Sequence, residues 1–507
     1  MTSSQRILTN TLAQYIRTII NVCLSLYSTR LILSALGQAD YGTYSVVAGV
    51  VAMLSFMTNA LISTTQRYLS FNHGKDDKKT IYQVFGNSVL LHFILGIGLF
   101  AILCVLAYPI VFSVLNIESG RRIAAISVYL SASIMLFFTF FTAPFRSLFI
   151  ARENIVYISI IDVLDGTLKL LIAIFLMHVI SYDKLIVYSI LLIGIALFNL
   201  GAFAIYALRH FEECHIPRWS EWNSQYIKDL SSFAGWTIYS TGCIIARVQG
   251  IAIILNRFFG SATNAAYGIA QQVAGATNFV AQSVLNAMSP QIIKAEGSDD
   301  RIHMLRLSEA ASKYATLLMA IVVIPLVFEM PVVLDIWLQE VPNDTIMFCR
   351  FVLISCVCDQ LTIGLGIANQ AIGKIRNYSL VVNTIKVLSL PAAWICLHYG
   401  LPAVSTMYCY LIVEILCAVA RLPFLKITAG LSIRSFVKNV FLRSFFSIFI
   451  MILVCFIIIN FIDISYRFLW TIVVNIIIGG ISIWYCSLSR NERQIVRAFI
   501  NRNISNS

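Results

Sequence analysis

Hydrophobic residues run through the chain in long continuous blocks, broken by short polar stretches. About fourteen such blocks are long enough to cross a bilayer as helices, near 7–36, 43–65, 84–112, 123–148, 155–180, 184–208, 230–256, 262–289, 312–333, 345–370, 377–398, 402–424, 441–463 and 468–488. The runs are unbroken rather than alternating, which excludes a β-barrel. Ser181–Asp183 and Tyr399–Leu401 are such short links that the spans on either side must be antiparallel hairpins. Only the breaks near 66–83, 209–229, 290–311 and 425–440 are long. The expected fold class is an all-α integral membrane protein.

Composition agrees: 59% of residues are hydrophobic and 12% charged, against roughly a quarter charged in soluble proteins. The first block lacks a cleavage site of small residues behind it and is expected to stay as a span. The net charge of +12 is explained by topology rather than nucleic acid. An even number of spans puts both termini on one side, taken as cytoplasmic. That side then holds about 25 Lys and Arg, among them Lys75, Lys78, Lys79, Lys294, Arg301, Arg306, Arg490, Arg493, Arg497 and Arg502. The other side holds about five: Arg121, Arg122, Lys184, Arg350 and Arg467. The cysteines are scattered, and Cys356 and Cys358 point to different faces of one helix. The histidines, from His73 to His398, are dispersed. No metal site, phosphate loop or nucleophile elbow is present, so neither a cofactor nor an enzyme is expected.

The chain also repeats. The first span is followed by GQADYG from Gly37, a second span, and GKDDKK from Gly74. The seventh is followed by GSATNAAYG from Gly260, a span, and GSDDRI from Gly297. Gly74 and Gly297 are 223 residues apart, as are Asn154 and Asn377, which are expected to open the fifth and eleventh spans. Two lobes of six helices follow, 1–208 and 230–424, with 209–229 as a cytoplasmic hinge, 425–488 as two additional helices and 489–507 as a basic tail. Six is even, so the lobes share one orientation, a parallel repeat of the transporter kind.

Six cations remain within or at the ends of spans: Arg17, Arg30, Lys169, Arg247, Arg257 and Lys386. They lie on the first, fifth, seventh and eleventh spans, two repeat-related pairs. A cation at mid-membrane costs about 2.5–3.5 kcal/mol on insertion scales and marks function. On the first helix Asn10, Gln14, Arg17, Asn21, Ser25 and Ser28 share one face, read as the wall of a wet cavity. Arg17 lies about 15 Å into its helix and Arg30 about 35 Å, on another face, which places Arg30 with Arg257 at the rim. Arg17, Lys169, Arg247 and Lys386 are the candidate anion-binding residues, expected around one cavity between the lobes. Asp162, Asp165 and Lys169 share a face, and Asp165 and Lys169 are spaced to pair. Asp162 is then left as a candidate proton or sodium site, and Asp165, Asp359 and Glu414 are further candidates for ion coupling. Pro109, Pro144, Pro325, Pro391 and Pro423 allow helix kinks.

The stretch from Ser34 to Phe71, SALGQADYGTYSVVAGVVAMLSFMTNALISTTQRYLSF, resembles the start of the O-antigen and capsule repeat-unit flippases, with the Leu-Gly…Asp-Tyr-Gly loop after an Arg-bearing helix as the specific part. These polysaccharide-biosynthesis proteins belong to the multidrug/oligosaccharidyl-lipid/polysaccharide (MOP) exporter superfamily. The resemblance implies two six-helix lobes of the MATE-like MOP fold plus two C-terminal helices, in the bacterial inner membrane. It implies movement of an undecaprenyl-pyrophosphate-linked oligosaccharide from the cytoplasmic to the periplasmic leaflet, driven by Na+ or H+. Membrane lipids, glycosyltransferases and a polysaccharide polymerase are the implied partners. Arg17, Lys169, Arg247 and Lys386 fill the family's cationic lumen by position rather than by motif. A lipid II flippase and a multidrug or cation antiporter of the same superfamily are the alternatives. A membrane glycosyltransferase is disfavoured, because the longest stretch outside the spans is about twenty residues.

Overall fold

The computed structural model describes residues 3–114, 117, 119–338, 341–461, 466–490 and 492–494. All fourteen predicted spans are helical: α1 Thr9–Gly37, α2 Asp40–Gly74, α3 Lys78–Phe112, α4 Arg122–Ala151, α5 Ile155–His178, α6 Lys184–His210 and α7 Ser224–Phe259. They continue as α8 Ser261–Gly297, α9 Arg301–Trp337, α10 in two arms (Thr345–Gln360 and Ile363–Ile372), α11 Ile375–His398, α12 Ser405–Ala429, α13 Ile433–Phe461 and α14 Arg467–Ser487. Among the described residues there is no strand. Eleven of these helices are individually long and apolar enough to cross a membrane, and α10 makes a twelfth if its arms, bent by 44°, form one span. The other two are α5, which carries Asp162, Asp165 and Lys169, and α8, which is rich in Ala, Gly, Asn and Gln. Their polarity suits helices that face protein rather than lipid. The result is a multi-pass membrane architecture. In the tail, Arg497 and Arg502 lie outside the described residues.

The chain divides into two compact units, one spanning Thr9–Ile238 and the other taking the chain from Tyr239 on. The division falls inside α7. In the N-terminal unit α4 packs against α2, α3 and α6, and α5 packs against α6. Tyr129, Phe140, Phe149 and Phe203 are fully buried there. In the C-terminal unit α9 packs against α8, both arms of α10, α13 and α14.

The 223-residue repeat is visible atom by atom in one hairpin of each unit. Asp76 and Asp299 both take left-handed backbone, at φ 54° and 58°. The next residues, Asp77 and Asp300, cap α3 and α9 by accepting from the backbone N–H of Thr80 and His303, each at 3.0 Å. Lys75 N–H donates to Phe71 C=O and Ser298 N–H to Lys294 C=O, at the same offset. Gly37 and Gly260 correspond as well, at φ 80° and 84°, which only glycine adopts without strain. The asparagine pair does not correspond. Asn154 caps α5, accepting from Tyr157 N–H at 3.4 Å, whereas Asn377 lies inside α11, whose cap position is Lys374. The left-handed residues before the two helices are Glu153 and Gly373, an offset of 220. A three-residue deletion therefore separates the repeat's first hairpin from its later helices.

The expected hinge at 209–229 is bonded along its length to the N-terminal unit. Arg152 donates to both Glu213 oxygens at 2.7 and 2.5 Å, and His73 Nε2 lies 3.4 Å from the same carboxylate. His215 stacks on Tyr82 at 3.6 Å and bonds Glu221 at 2.7 Å. Asn87 bonds both ways, to Glu221 C=O at 3.1 Å and from Asn223 N–H at 2.8 Å. The additional helices are equally anchored. Glu329 of α9, 1% exposed, accepts from Arg467 at 3.2 Å and Thr471 at 2.9 Å of α14. Sixteen residues along α9, Lys313 bonds Glu492 at 2.7 Å.

Candidate functional site

Each unit holds a cluster of charged side chains drawn from several helices. In the N-terminal unit α1, α4 and α5 meet at Asp162. Arg17 of α1 donates to Asp162 Oδ2 at 2.6 Å, and Arg146 of α4 forks onto both oxygens at 2.9 and 2.8 Å. One turn on, Lys169 pairs with Asp165 at 2.6 Å, the i, i+4 pair expected from spacing, and Asn199 of α6 donates to Asp165 at 2.7 Å. Asp162 is therefore not the unpaired carboxylate expected, because Arg146 reaches it from a neighbouring helix. Three cations stand on two carboxylates, leaving one positive charge.

This cluster stays accessible. Arg17 and Asp162 side chains are 21% exposed and Arg146 30%. They border an open recess of about 490 Å³ that Asn21 and Ser25 also line. The polar stripe of α1 is thus only partly a cavity wall. Asn10, Gln14 and Ser28 are buried against protein, while Leu12, Ile16 and Ile19 on the opposite side are exposed and suit lipid. Close approach at Gly166 of α5 makes this contact: a Cβ there would sit 2.8 Å from Asn21 Oδ1.

In the C-terminal unit α7, α10, α11 and α12 meet. Arg247 of α7 bonds Glu414 of α12, and its guanidinium lies over the Tyr410 ring at 4.2 Å. Lys386 of α11 reaches Asp359 at 3.3 Å and Glu414 at 3.5 Å. Arg421 of α12 bonds the Asp359 carboxylate at 2.7 Å. It also donates to the Asp359 carbonyl at 3.1 Å and the Thr362 hydroxyl at 3.3 Å, groups that flank the bend of α10. A wide π-type turn at Ser379–Asn383 precedes Lys386. The charge count is the same, three cations on two carboxylates, but Arg247, Glu414, Lys386 and Arg421 are all below 8% exposed.

Arg17 and Lys169 thus gather with partners of their own unit, and so do Arg247 and Lys386. None of Asp162, Asp165, Asp359 and Glu414 lacks a cation. Arg30 and Arg257 are exposed, and Arg257 lies over Trp394 at 5.5 Å. Reading the spans one at a time missed Arg146 and Arg421, which the loop tally assigns to cytoplasmic ends. Arg421 had a signal: it follows Glu414 by seven residues and so shares its face. Arg146 had none.

No protein-family model and no curated protein matches the chain. Solved structures do. An outward-facing multidrug resistance MATE family transporter of the MOP superfamily superposes with a TM-score of 0.70 at 15% identity, covering 87% of this chain and 98% of that one. The chain has a MATE-like fold. A MOP superfamily transporter from Pyrococcus furiosus, described as having a binding pocket of reverse polarity that suggests a different function, superposes with a TM-score of 0.73 at 13% identity over 85% of this chain and 96% of that one. The MATE transporter ClbM in complex with Rb+ gives 0.70 at 13% identity, over 86% and 96%. At such identities the likeness fixes how the helices are arranged. The charges that this MATE-like scaffold carries here must be read from its own residues.

Proposed function

We propose that this protein is a flippase for an undecaprenyl-pyrophosphate-linked oligosaccharide, carrying it from the cytoplasmic to the periplasmic leaflet of a bacterial inner membrane, with the N-terminal recess receiving the pyrophosphate. The observation that carries this reading is two guanidiniums, Arg17 and Arg146, sharing one carboxylate at the edge of an open recess. Arginine forks match phosphate oxygens as they match carboxylates. A pyrophosphate, with about two or more negative charges, can displace Asp162 and meet both. Protonation of Asp162, or sodium beside it, breaks both pairs and hands the arginines to the substrate. Restoring the carboxylate competes the substrate off again. Binding shared in this way avoids a single tight site that would oppose release.

The antiporter reading, in which a carboxylate takes a cationic drug, is disfavoured because each of these carboxylates already holds a cation. A lipid II flippase would bind the same pyrophosphate and differs in its sugar. The test is surface polysaccharide export in a strain lacking the gene, complemented with Arg17→Ala, Arg146→Ala or both. Export is expected to fall at least tenfold in the double variant at normal protein levels, which corresponds to about 1.4 kcal/mol or more. Normal export in the double variant would refute the assignment.

A further inference from the structure

We propose that Cys396 and Cys409 form a reversible disulfide that staples α11 to α12 at their non-cytoplasmic ends. The placement of those ends rests on the orientation underlying the proposed function; the pairing itself does not. The two sulfurs lie 3.6 Å apart, and both residues are half-buried rather than sealed in the core. Two features of the hairpin hold them there. Leu401 N–H donates to the Cys396 carbonyl at 3.2 Å and Gly400 N–H to the Leu397 carbonyl at 3.0 Å. With Gly400 at φ +78°, this closes α11 in a Schellman turn whose anchoring carbonyl belongs to Cys396 itself. On the other strand of the hairpin, Pro402, Ala403 and Val404 accept from Ser405, Thr406 and Met407, which starts α12 one turn before Cys409.

Loop counting puts the 399–404 turn on the side away from the Lys- and Arg-rich segments, where thiols meet an oxidising compartment. The oxidant required is a small or protein disulfide. One cysteine, as thiolate, attacks a sulfur of that disulfide; the external S–S bond breaks and one half leaves as a thiolate. The second cysteine then attacks the mixed disulfide, forming the Cys396–Cys409 bond and expelling the other half. Two protein thiols are oxidised, one external disulfide is reduced to two thiols, and the two protons pass from the cysteines to the leaving groups. The bond sits ten residues beyond Lys386 and five before Glu414, so it holds the register in which these two side chains meet.

The full-length protein, purified in detergent, is incubated with oxidised glutathione, alkylated and cut with chymotrypsin, which separates the two cysteines at Tyr399 and Tyr408. A 396–409 linked peptide, about 2 Da below the sum of its reduced parts, is expected in the native chain and absent from Cys396→Ser and Cys409→Ser. Two separately alkylated or glutathionylated cysteines would overturn the pairing. The same mapping on intact cells, trapped with N-ethylmaleimide before lysis, is expected to show the link already formed. Free thiols in cells together with ready pairing in detergent would overturn the placement of this turn and leave the pairing standing.

Discussion

Removing Glu414 and Arg247 together should harm the protein less than the two single changes add up to. Glu414 is 3% exposed and holds Arg247 on one side and Lys386, 3.5 Å away, on the other. Glu414→Gln keeps the volume and deletes the charge, so three buried cations are left with only Asp359. Stranding one partner of a buried pair costs about 3–5 kcal/mol. Arg247→Met alone strands less, because Glu414 keeps Lys386, although the contact with Tyr410, about 0.5–2 kcal/mol, is lost. The double variant returns the cluster to its original excess of one positive charge and is expected to recover about 2 kcal/mol relative to the sum of the single changes. At about 2–4 °C per kcal/mol for units of this size, Glu414→Gln should unfold roughly 10 °C below the native protein. Thermal unfolding of the three variants in detergent, followed by tryptophan fluorescence, measures this. The reasoning fails if Glu414→Gln unfolds within about 2 °C of the native chain, or if the double variant shows the full sum of the single losses.

Two further outcomes follow from packing and from charge outside the spans. A Cβ at Gly364 would lie 2.2 Å from the Ser308 carbonyl oxygen and 2.8 Å from Ser312 Oγ, a backbone contact that cannot rotate away. Gly364→Ala is expected to cost about 1–3 kcal/mol or more and to cut the yield of folded protein, while Gly98→Ala, which meets nothing within 4 Å, should not. In the 209–229 segment, Arg152 bonded to Glu213 and His73 3.4 Å from it outweigh its burial and hold its carboxyl down, at about 2. A depressed folded pKa means stability that is present above the ordinary carboxylate range and is lost as pH falls toward about 2. Hydrogen exchange in 209–223 should therefore rise over that window in the native protein, and Glu213→Gln should flatten the dependence.

The fold was legible because its determinants are local in sequence. Apolar run length gives the spans, and the short Ser181–Asp183 and Tyr399–Leu401 links give the hairpins. The repeat was legible where backbone geometry demands a residue type. Gly37 and Gly260 need positive φ, and Asp77 and Asp300 must cap a helix after a left-handed turn. It misled at Asn377, where a shared letter survived a three-residue deletion that moved the cap to Lys374. The sites were legible only in part. Periodicity tells which face a charge is on, so Asp165 and Lys169 paired as expected, whereas Arg146 and Asp162 meet across two helices with no periodic relation. Loop counting discarded Arg146 and Arg421 for the same reason: nearness to a helix end says nothing about what lies opposite.

The repeat also sharpens which cluster can exchange its partners. Helices in equivalent positions build both, α1 and α5 in one unit and α7 and α11 in the other, yet the charged residues are not equivalent. At the offset of 223 Arg17 corresponds to Ser240, and at 220 Lys386 corresponds to Gly166. Each cluster nonetheless ends with three cations on two carboxylates. The two clusters share no charged position; what they share is a balance, one positive charge in excess. That excess acts differently by depth. Around Arg247 the three cations and Glu414 are buried, Asp359 alone being partly exposed, and pairs whose loss leaves a bare charge hold α7, α10, α11 and α12 together. Around Asp162, with Arg17 and Arg146 still reached by solvent, each pair is worth less, and on the proposed reading an incoming anion replaces a carboxylate without first being dehydrated in a closed core. On the proposed reading the N-terminal cluster is therefore the one that meets substrate, and substitutions that neutralise Arg17 or Arg146 should reduce export while leaving the protein folded.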